Sequence, residues 1–334
     1  MKKALFWGYR FADMKISWVK QVQWIAQALQ EAGYTVLKHP KFICDIKGAL
    51  IYDFKRDTKL DIVIYNHTDV SRLIGDIVAS KRNWFFKPTV PDEVHTTLDE
   101  LGYGPYSSIT YKKPPFEQCN MNEVNCFFKT KVKDWINNKN SKWGTRHKTE
   151  DIEIKENNYY LVLGQCGGDA VVTRHDFGNY FQKLKSIVKE LDRVGDKHII
   201  VKLHPYTDGK DAKNNDFSIK LGTEIANISK KVTVYIGKSN LHKFIEKANC
   251  VILANSGAGF EVQMHHKPII AWGFPEYNHI AYDLRHLCDM KKALNLDWFE
   301  REKSDKFLYW YLEKYCYFNQ ASANQRVKEL LNEK

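Results

Sequence analysis

The 334-residue chain lacks the marks of a membrane anchor, a disulfide scaffold and a zinc module. No apolar run approaches the roughly 20 residues that a spanning helix needs. Its start, MKKALFWGYRF, joins two lysines to a short apolar stretch with no small-residue cleavage site, so no secretory leader is expected. The seven cysteines, at 44, 119, 126, 166, 250, 288 and 316, are odd in number and include no C-x-x-C pair. That spacing argues against disulfides or structural zinc and for a reducing cytoplasm. Zinc-finger, homeodomain and RNP-type signatures are missing as well. There is also no D-x-D acidic pair placed to hold a metal. No metal or other cofactor is therefore expected.

What is present is a globular composition, 43% hydrophobic and 27% charged, on a chain long enough for two domains. Lysine and arginine number 51 against 40 acidic residues, a net charge of +11. Such a balance favours an anionic partner, whether a phosphorylated or carboxylated substrate, a membrane surface or nucleic acid. The basic residues are spread along the chain rather than clustered, which makes nucleic acid the weakest of these.

Strand-like and helix-like periods alternate along both halves. KALFWGY reads as a strand, followed by a helix with Trp18, Val22, Ile25 and Leu29 at helical spacing and a stop at Gly33. YTVLKH and LDIVIYNH are the next strands, and a helix is expected over 71–81. Residues 83–118, rich in proline, glycine and aromatics, read as a long irregular excursion. Residues 139–158 are charged and aperiodic and read as a linker. The second half repeats the pattern with strands YYLVLG, KHIIVKLHP, VTVYIG, CVILANSG and PIIAWG. Leu184, Ile187, Val188 and Leu191 mark one face of a helix between the first two of these. The expected fold is α/β: two Rossmann-like domains facing across a cleft, 1–145 and 159–300, with helices in 301–334 crossing back to the first. This is the GT-B architecture of glycosyltransferases, although periodicity alone allows other paired Rossmann-like enzymes.

Three strand ends in the second half carry unusual residues, and ligands of open parallel sheets bind beyond such ends. In NSGAG, Asn255, Ser256, Gly257, Ala258 and Gly259 open a helix whose free N–H groups suit a phosphate or carboxylate. Helix capping by Asn255 or Ser256 is the plain alternative. His204, held extended by Pro205, can donate to a phosphate or protonate a leaving group, or it merely caps the sheet. In GQCGGDA, Gln165 and the glycines lead to Asp169. Gly167 and Gly168 leave room for a ligand, and Asp169 is a general base, a nucleophile or an ordinary turn aspartate. Cys166 has no recognisable base near it and reads as a small loop residue. Glu261, one turn into the helix after NSGAG, either reaches ribose hydroxyls or is a solvated helix residue. Lys87, Ser107, Ser108 and Glu117, in the irregular excursion, are acceptor-side candidates.

GQCGGDA, KLHP and NSGAGFEVQMHHKPIIAWG, with FFKPT…LDELGYGPYSSITY upstream, resemble the retaining β-Kdo transferases of bacterial capsule and O-antigen synthesis. The resemblance covers roughly 83–118 and 159–275, and Q-x-x-G-D-A is its most specific part. It implies a GT-B fold, a CMP-Kdo donor and a glycan or glycolipid acceptor. It also implies Asp169 as nucleophile, His204 as the H-P histidine, and Ser256 in the turn that meets the donor's phosphate or carboxylate. Two other readings remain: an inverting enzyme using a UDP- or GDP-sugar with Asp169 as base, and a non-catalytic polyanion-binding module. The expected location is the cytoplasm. KFLYWYLEKYCYF, residues 306–318, reads either as a helix packed on the first domain or as an aromatic patch resting on the anionic inner face of the membrane.

Overall fold

The computed structural model describes residues 2–7, 16–40, 46–53, 55, 59–66, 80–92, 94–138, 152–173, 178–207 and 215–332. Two compact units divide the chain: Met1–Lys112 with Tyr309–Lys334, and Lys113–Leu308. Residues 71–79 of the helix expected over 71–81 and most of the 139–158 linker lie outside the described residues, while Ser80 and Lys81 begin a strand rather than end a helix.

In the first unit β1 (Lys2–Trp7), β2 (Tyr34–Lys38), β3 (Leu50–Ile51), β4 (Leu60–Asn66), β5 (Ser80–Pro88) and β6 (Thr96–Asp99) pair in the order β3-β2-β1-β4-β5-β6. All pairs are parallel except β5–β6. A parallel sheet covered on both faces needs continuous apolar strands. β1 and β4 supply them: Ala4, Phe6, Ile62 and Ile64 enter the core on one face, and Leu5, Trp7, Val63 and Tyr65 the core on the other. Helix α1 (Ile16–Glu31) lays Val22, Ile25 and Leu29 on the first face. It stops at Gly33, whose φ of +83° few other residues adopt cheaply. The last helix, Gln320–Asn332, adds Ala323, Val327 and Leu330 to the same core.

In the second unit β7 (Tyr159–Leu163), β8 (Ile199–Lys202), β9 (Val232–Tyr235), β10 (Ala248–Leu253), β11 (Ile269–Ala271) and β12 (Tyr282–Asp283) are parallel throughout, in the order β12-β11-β10-β7-β8-β9. Counted from each unit's own first strand, both sheets have the 3-2-1-4-5-6 order of a doubly wound nucleotide-binding fold. The unit's α-helices of five residues or more, before the last, are α2 (Met121–Phe127), α3 (Lys133–Asn137), α4 (Tyr180–Val194), α5 (Asp216–Ala226), α6 (Leu241–Lys247) and α7 (Ala258–Met264). Helix α8 (Arg301–Trp310) carries the chain out of it. As its spacing requires, α4 buries Leu184, Ile187, Val188 and Leu191. Asparagine starts α2, α4, α5 and α6: the side chains of Asn120, Asn179, Asn215 and Asn240 each accept from a first-turn N–H.

Two expectations need correction, and one choice left open is decided. Residues 83–118 are not irregular throughout. β5 runs through the aromatic run before the prolines, burying Trp84 and Phe86, and β6 returns against it. The first unit ends at Lys112 rather than near 145, because Phe127, Val132 and Trp135 are buried in the second unit and Phe128 stacks there on His266 at 4.7 Å. For the aromatic run near 306–318 the structure bears out the first of the two readings, a segment packed into the core. Phe307, Tyr311 and Tyr317 are 0% exposed, Tyr309 and Tyr315 are buried as well, and Trp310 is half-buried on Tyr315. Tyr317 bridges Thr96 in antiparallel fashion and so covers the outer edge of β6. No helix among the described residues is long and apolar enough to cross a membrane.

Asp99, at the end of β6, had no signal in the sequence and turns out to fasten the first unit. It is 0% exposed. Its carboxylate accepts from the N–H groups of Leu101, Gly102 and Ser108, from the Ser108 hydroxyl and from the Tyr315 hydroxyl at 2.7 Å. Removing it leaves all of those donors without their acceptor, and the Gly102 N–H and the Tyr315 hydroxyl lose it in buried surroundings. Asp99→Ala is expected to lower stability by about 3–5 kcal/mol, against about 1 kcal/mol for Tyr315→Phe, which deletes a single bond. Urea denaturation of the two variants checks this, and equal losses would contradict it.

Candidate active site

In the second unit the strand order reverses between β7 and β10, which lie side by side. Crossovers leave in opposite directions there and leave a crevice beyond the carboxyl ends of the strands. The loop 164–169 follows β7, the loop 255–259 follows β10, and His204 follows β8, next to β7. The three strand ends singled out by sequence therefore converge at the point where such a sheet binds ligand.

A one-way chain of amides ties the first two loops together. The Asn255 backbone N–H donates to Gln165 Oε1 at 3.0 Å, which fixes the orientation of the Gln165 amide. Gln165 Nε2 then donates to Asn255 Oδ1 at 2.9 Å, and Asn255 Nδ2 donates to the carbonyl of Val171 at 2.8 Å. Flipping either amide would set donor against donor. Both side chains are 6% exposed, so the bonds are made in a largely dry setting. From behind, the Gln165 N–H donates to the Tyr180 hydroxyl at 2.7 Å, and Tyr180 stacks on Trp272.

A second tie joins the β7 loop to His204. Gly167 N–H donates to the Thr207 carbonyl at 3.0 Å, and the Thr207 hydroxyl donates to the His204 carbonyl at 2.7 Å. Tyr206 N–H donates to His204 Nδ1 at 3.0 Å. A backbone N–H only donates, so Nδ1 is the acceptor and the neutral ring carries its proton on Nε2. His204 is half-buried with Nε2–H as a donor, which suits a phosphate oxygen better than a role as proton source. Beneath it Lys202, 6% exposed, donates to the carbonyls of Leu203 and Gly237. Burial pushes its ammonium down to about 8.

Asp169 is exposed. Its Oδ1 accepts from the Val171 N–H at 3.2 Å at the start of the short helix Ala170–Thr173, and Oδ2 bonds nothing among the described residues. The capping role is real, and it leaves one carboxylate oxygen for other chemistry. The two glycines before it differ. A Cβ on Gly167 would meet the Phe181 ring at 2.5 Å, so this glycine serves packing rather than ligand access, a correction, while Gly168 has open space. In the NSGAG turn the Ser256 hydroxyl accepts from the Ala258 N–H at 3.2 Å, a capping bond, and the Ser256 carbonyl accepts from the Tyr277 hydroxyl. Gly259 makes way for the Tyr277 ring, whereas Gly257 is open. Glu261 is 4% exposed, which removes the solvated reading.

The acceptor-side candidates each have local partners. Lys87 lies over the Tyr103 ring, Ser107 is fully buried and donates to the Gly104 carbonyl, and Ser108 is bound to Asp99. Glu117 belongs to the second unit, is exposed, and pairs with Lys113 at 2.8 Å, which holds its carboxyl below the usual range. Sequence reasoning missed Tyr180, Lys202, Thr207 and Tyr277, which brace the loops. Only Lys202 left a trace, as a charge at the end of an otherwise apolar strand.

Lys202 also gives a pH signature. Its proton is held to about pH 10.5 in the unfolded chain but only to about 8 in the folded one. Between those values the unfolded state binds more protons, so stability contributed by this site rises with pH; below 8 both states are protonated and the burial cost is constant. The stability difference between wild type and Lys202→Met, from urea denaturation at a series of pH values, should shift in favour of wild type from pH 8 to 10.5. A flat difference would contradict the buried-ammonium reading.

Residues 106–316, more than half the chain, match the family described as capsule polysaccharide biosynthesis protein. No curated protein matches the chain by sequence. Among solved structures, the beta Kdo 2,4 transferase of Thermosulfurimonas dismutans KpsC superposes with a TM-score of 0.52 at 16% identity, covering 92% of this chain and 89% of that one. The beta Kdo 2,7 transferase of the same protein superposes with a TM-score of 0.55 at 12% identity, covering 99% of each chain. The likeness spans both doubly wound units, and it shows a shared fold. The chain thus belongs to the capsule polysaccharide biosynthesis family and has a GT-B fold.

Proposed function

We propose that the chain is a glycosyltransferase of capsule synthesis that moves Kdo, or a similar acidic sugar, from a CMP-linked donor onto a glycan or lipid-linked glycan. One observation carries the reading: Asp169 stands at the β7–β10 switch point on a loop locked by Gln165 and Asn255, with the His204 loop tied beside it. The donor brings a phosphate and, at the anomeric carbon, a carboxylate. A basic chain with an Nε2–H donor and the N–H groups of an open Gly257 turn suits both.

In the proposed mechanism the free Oδ2 of Asp169 attacks the anomeric carbon, and the bond from that carbon to the phosphate oxygen breaks. The bonding pair leaves with CMP, whose charge His204 Nε2–H and the Ser256 turn stabilise. An acceptor hydroxyl then displaces Asp169 from the same carbon and loses its proton to base. Two inversions give net retention. Gln165 and Asn255 act as positioning residues, holding the two loops in register, and the chemistry requires no metal. The family resemblance of Q-x-x-G-D-A, KLHP and NSGAG supports the roles of Asp169, His204 and the Ser256 turn.

Asp169→Asn keeps Oδ1 as a helix cap but is a poor nucleophile. Its melting temperature should stay within a degree or two of wild type, while transfer falls by about a thousandfold or more. A variant retaining a tenth of the wild-type rate removes Asp169 from the mechanism. For the donor, CMP should raise the melting temperature more than UDP or GDP. His204→Ala should weaken CMP binding by about tenfold to a hundredfold, the worth of one charged hydrogen bond. Preferential binding of UDP or GDP would replace the CMP-linked donor with the other nucleotide class.

A further inference from the structure

The motif QMHHKP plays no part in the donor loops, yet it borders a groove of about 430 Å³ in the second unit. His265 and His266 follow α7 and precede β11, and the Pro268 carbonyl there accepts from the Val251 N–H. They therefore lie where the parallel strands begin, at the far end of α7 from Ser256. Seven residues of helix put about 10 Å between the two places.

The groove's wall comes from a π-helical turn, Phe128–Val132, set between α2 and α3, an irregularity found often at functional sites. It presents Lys129, and α3 presents Lys133 four residues on. Both lysines are exposed, and neither forms an ion pair among the described residues. Arg301 lines the same groove. Its carboxylate neighbour, Asp305 at 3.6 Å, is already held at 2.7 Å by His266 Nδ1. Three permanent cations thus face one shared carboxylate. His265 adds no charge: burial pushes it down to about 3, and it is bonded to His242. His266 has a φ of +53°, the place after a helix that glycine usually takes. Its ring is locked by Asp305 and stacked under Phe128. Asn125 supplies an amide at the rim.

We propose that this groove is a second, non-catalytic site for an anionic saccharide, a chain bearing carboxylates or phosphates. The spread cations take the charges, the Phe128–His266 stack offers an aromatic surface to a sugar ring, and the amide reads hydroxyls. The volume suits one or two sugar rings rather than a lone anion. Charge, shape and composition carry this reading independently of the transferase assignment.

Isothermal titration of the full chain at low ionic strength tests it with three probes: tetragalacturonate, neutral maltotetraose and inorganic phosphate. Tetragalacturonate should bind and maltotetraose should not. Lys129→Gln/Lys133→Gln should weaken tetragalacturonate by about tenfold or more, and Arg301→Gln should repeat the loss. All three side chains reach solvent, so melting should hold. CMP binding, read separately, should be unchanged in these variants, which keeps failure here distinct from failure of the donor site. Undetectable or equal tetragalacturonate binding in wild type and variants would overturn the proposal. So would phosphate binding as tightly as the tetrasaccharide, or maltotetraose binding alike.

Discussion

The pair of amides joining Gln165 to Asn255 is the constraint on which the site depends. A doubly wound sheet opens a crevice where its strand order reverses, and the loops that line it belong to strands far apart in sequence. Nothing in local propensity sets their spacing. Here two reciprocal hydrogen bonds, buried on both sides and backed by the Tyr180 hydroxyl, fix it. The Asn255 amide then reaches Val171, next to the turn that presents Asp169. The Q in Q-x-x-G-D-A thereby has a physical reason: it accepts from the backbone of the opposite loop and donates to that loop's side chain.

Two aspartates show how environment divides labour between like groups. Asp99 is sealed from water with donors on both oxygens, so its whole capacity goes into fixing the turn from Leu101 to Ser108 and tying β6 to Tyr315. Asp169 uses one oxygen to start a short helix and leaves the other outward. A carboxylate saturated by five donors is a poor reagent, and one braced by a single N–H is oriented but still reactive. Glycines divide the same way: Gly167 and Gly259 yield to aromatic rings, whereas Gly168 and Gly257 leave the backbone open.

Much of the fold was legible because parallel strands buried on both faces must be written as unbroken apolar runs, and IVIY in β4 and YYLVL in β7 are such runs. The helical face of α4 was equally plain. The antiparallel β5–β6 turn was not, since its prolines and glycines sit between and after the strands and mask them. The boundary at Lys113 was hidden because the stretch from α2 to α3 joins the second unit through scattered contacts such as Phe128 on His266, which no period announces. The residues of the candidate site could be picked out from strand ends. Their bracing partners could not, because Tyr180, Thr207 and Tyr277 look like ordinary core or turn residues until the chain is folded. Ser107 and Ser108 misled for the opposite reason, as exposed-looking loop hydroxyls that serve Gly104 and Asp99.

The most direct measurement is the intact mass of the protein after brief incubation with CMP-Kdo without acceptor. The account predicts a population heavier by one Kdo residue, with the addition mapping to the peptide that holds Asp169 and absent from Asp169→Asn. Turnover that proceeds with no such adduct and inverts the anomeric centre would contradict it.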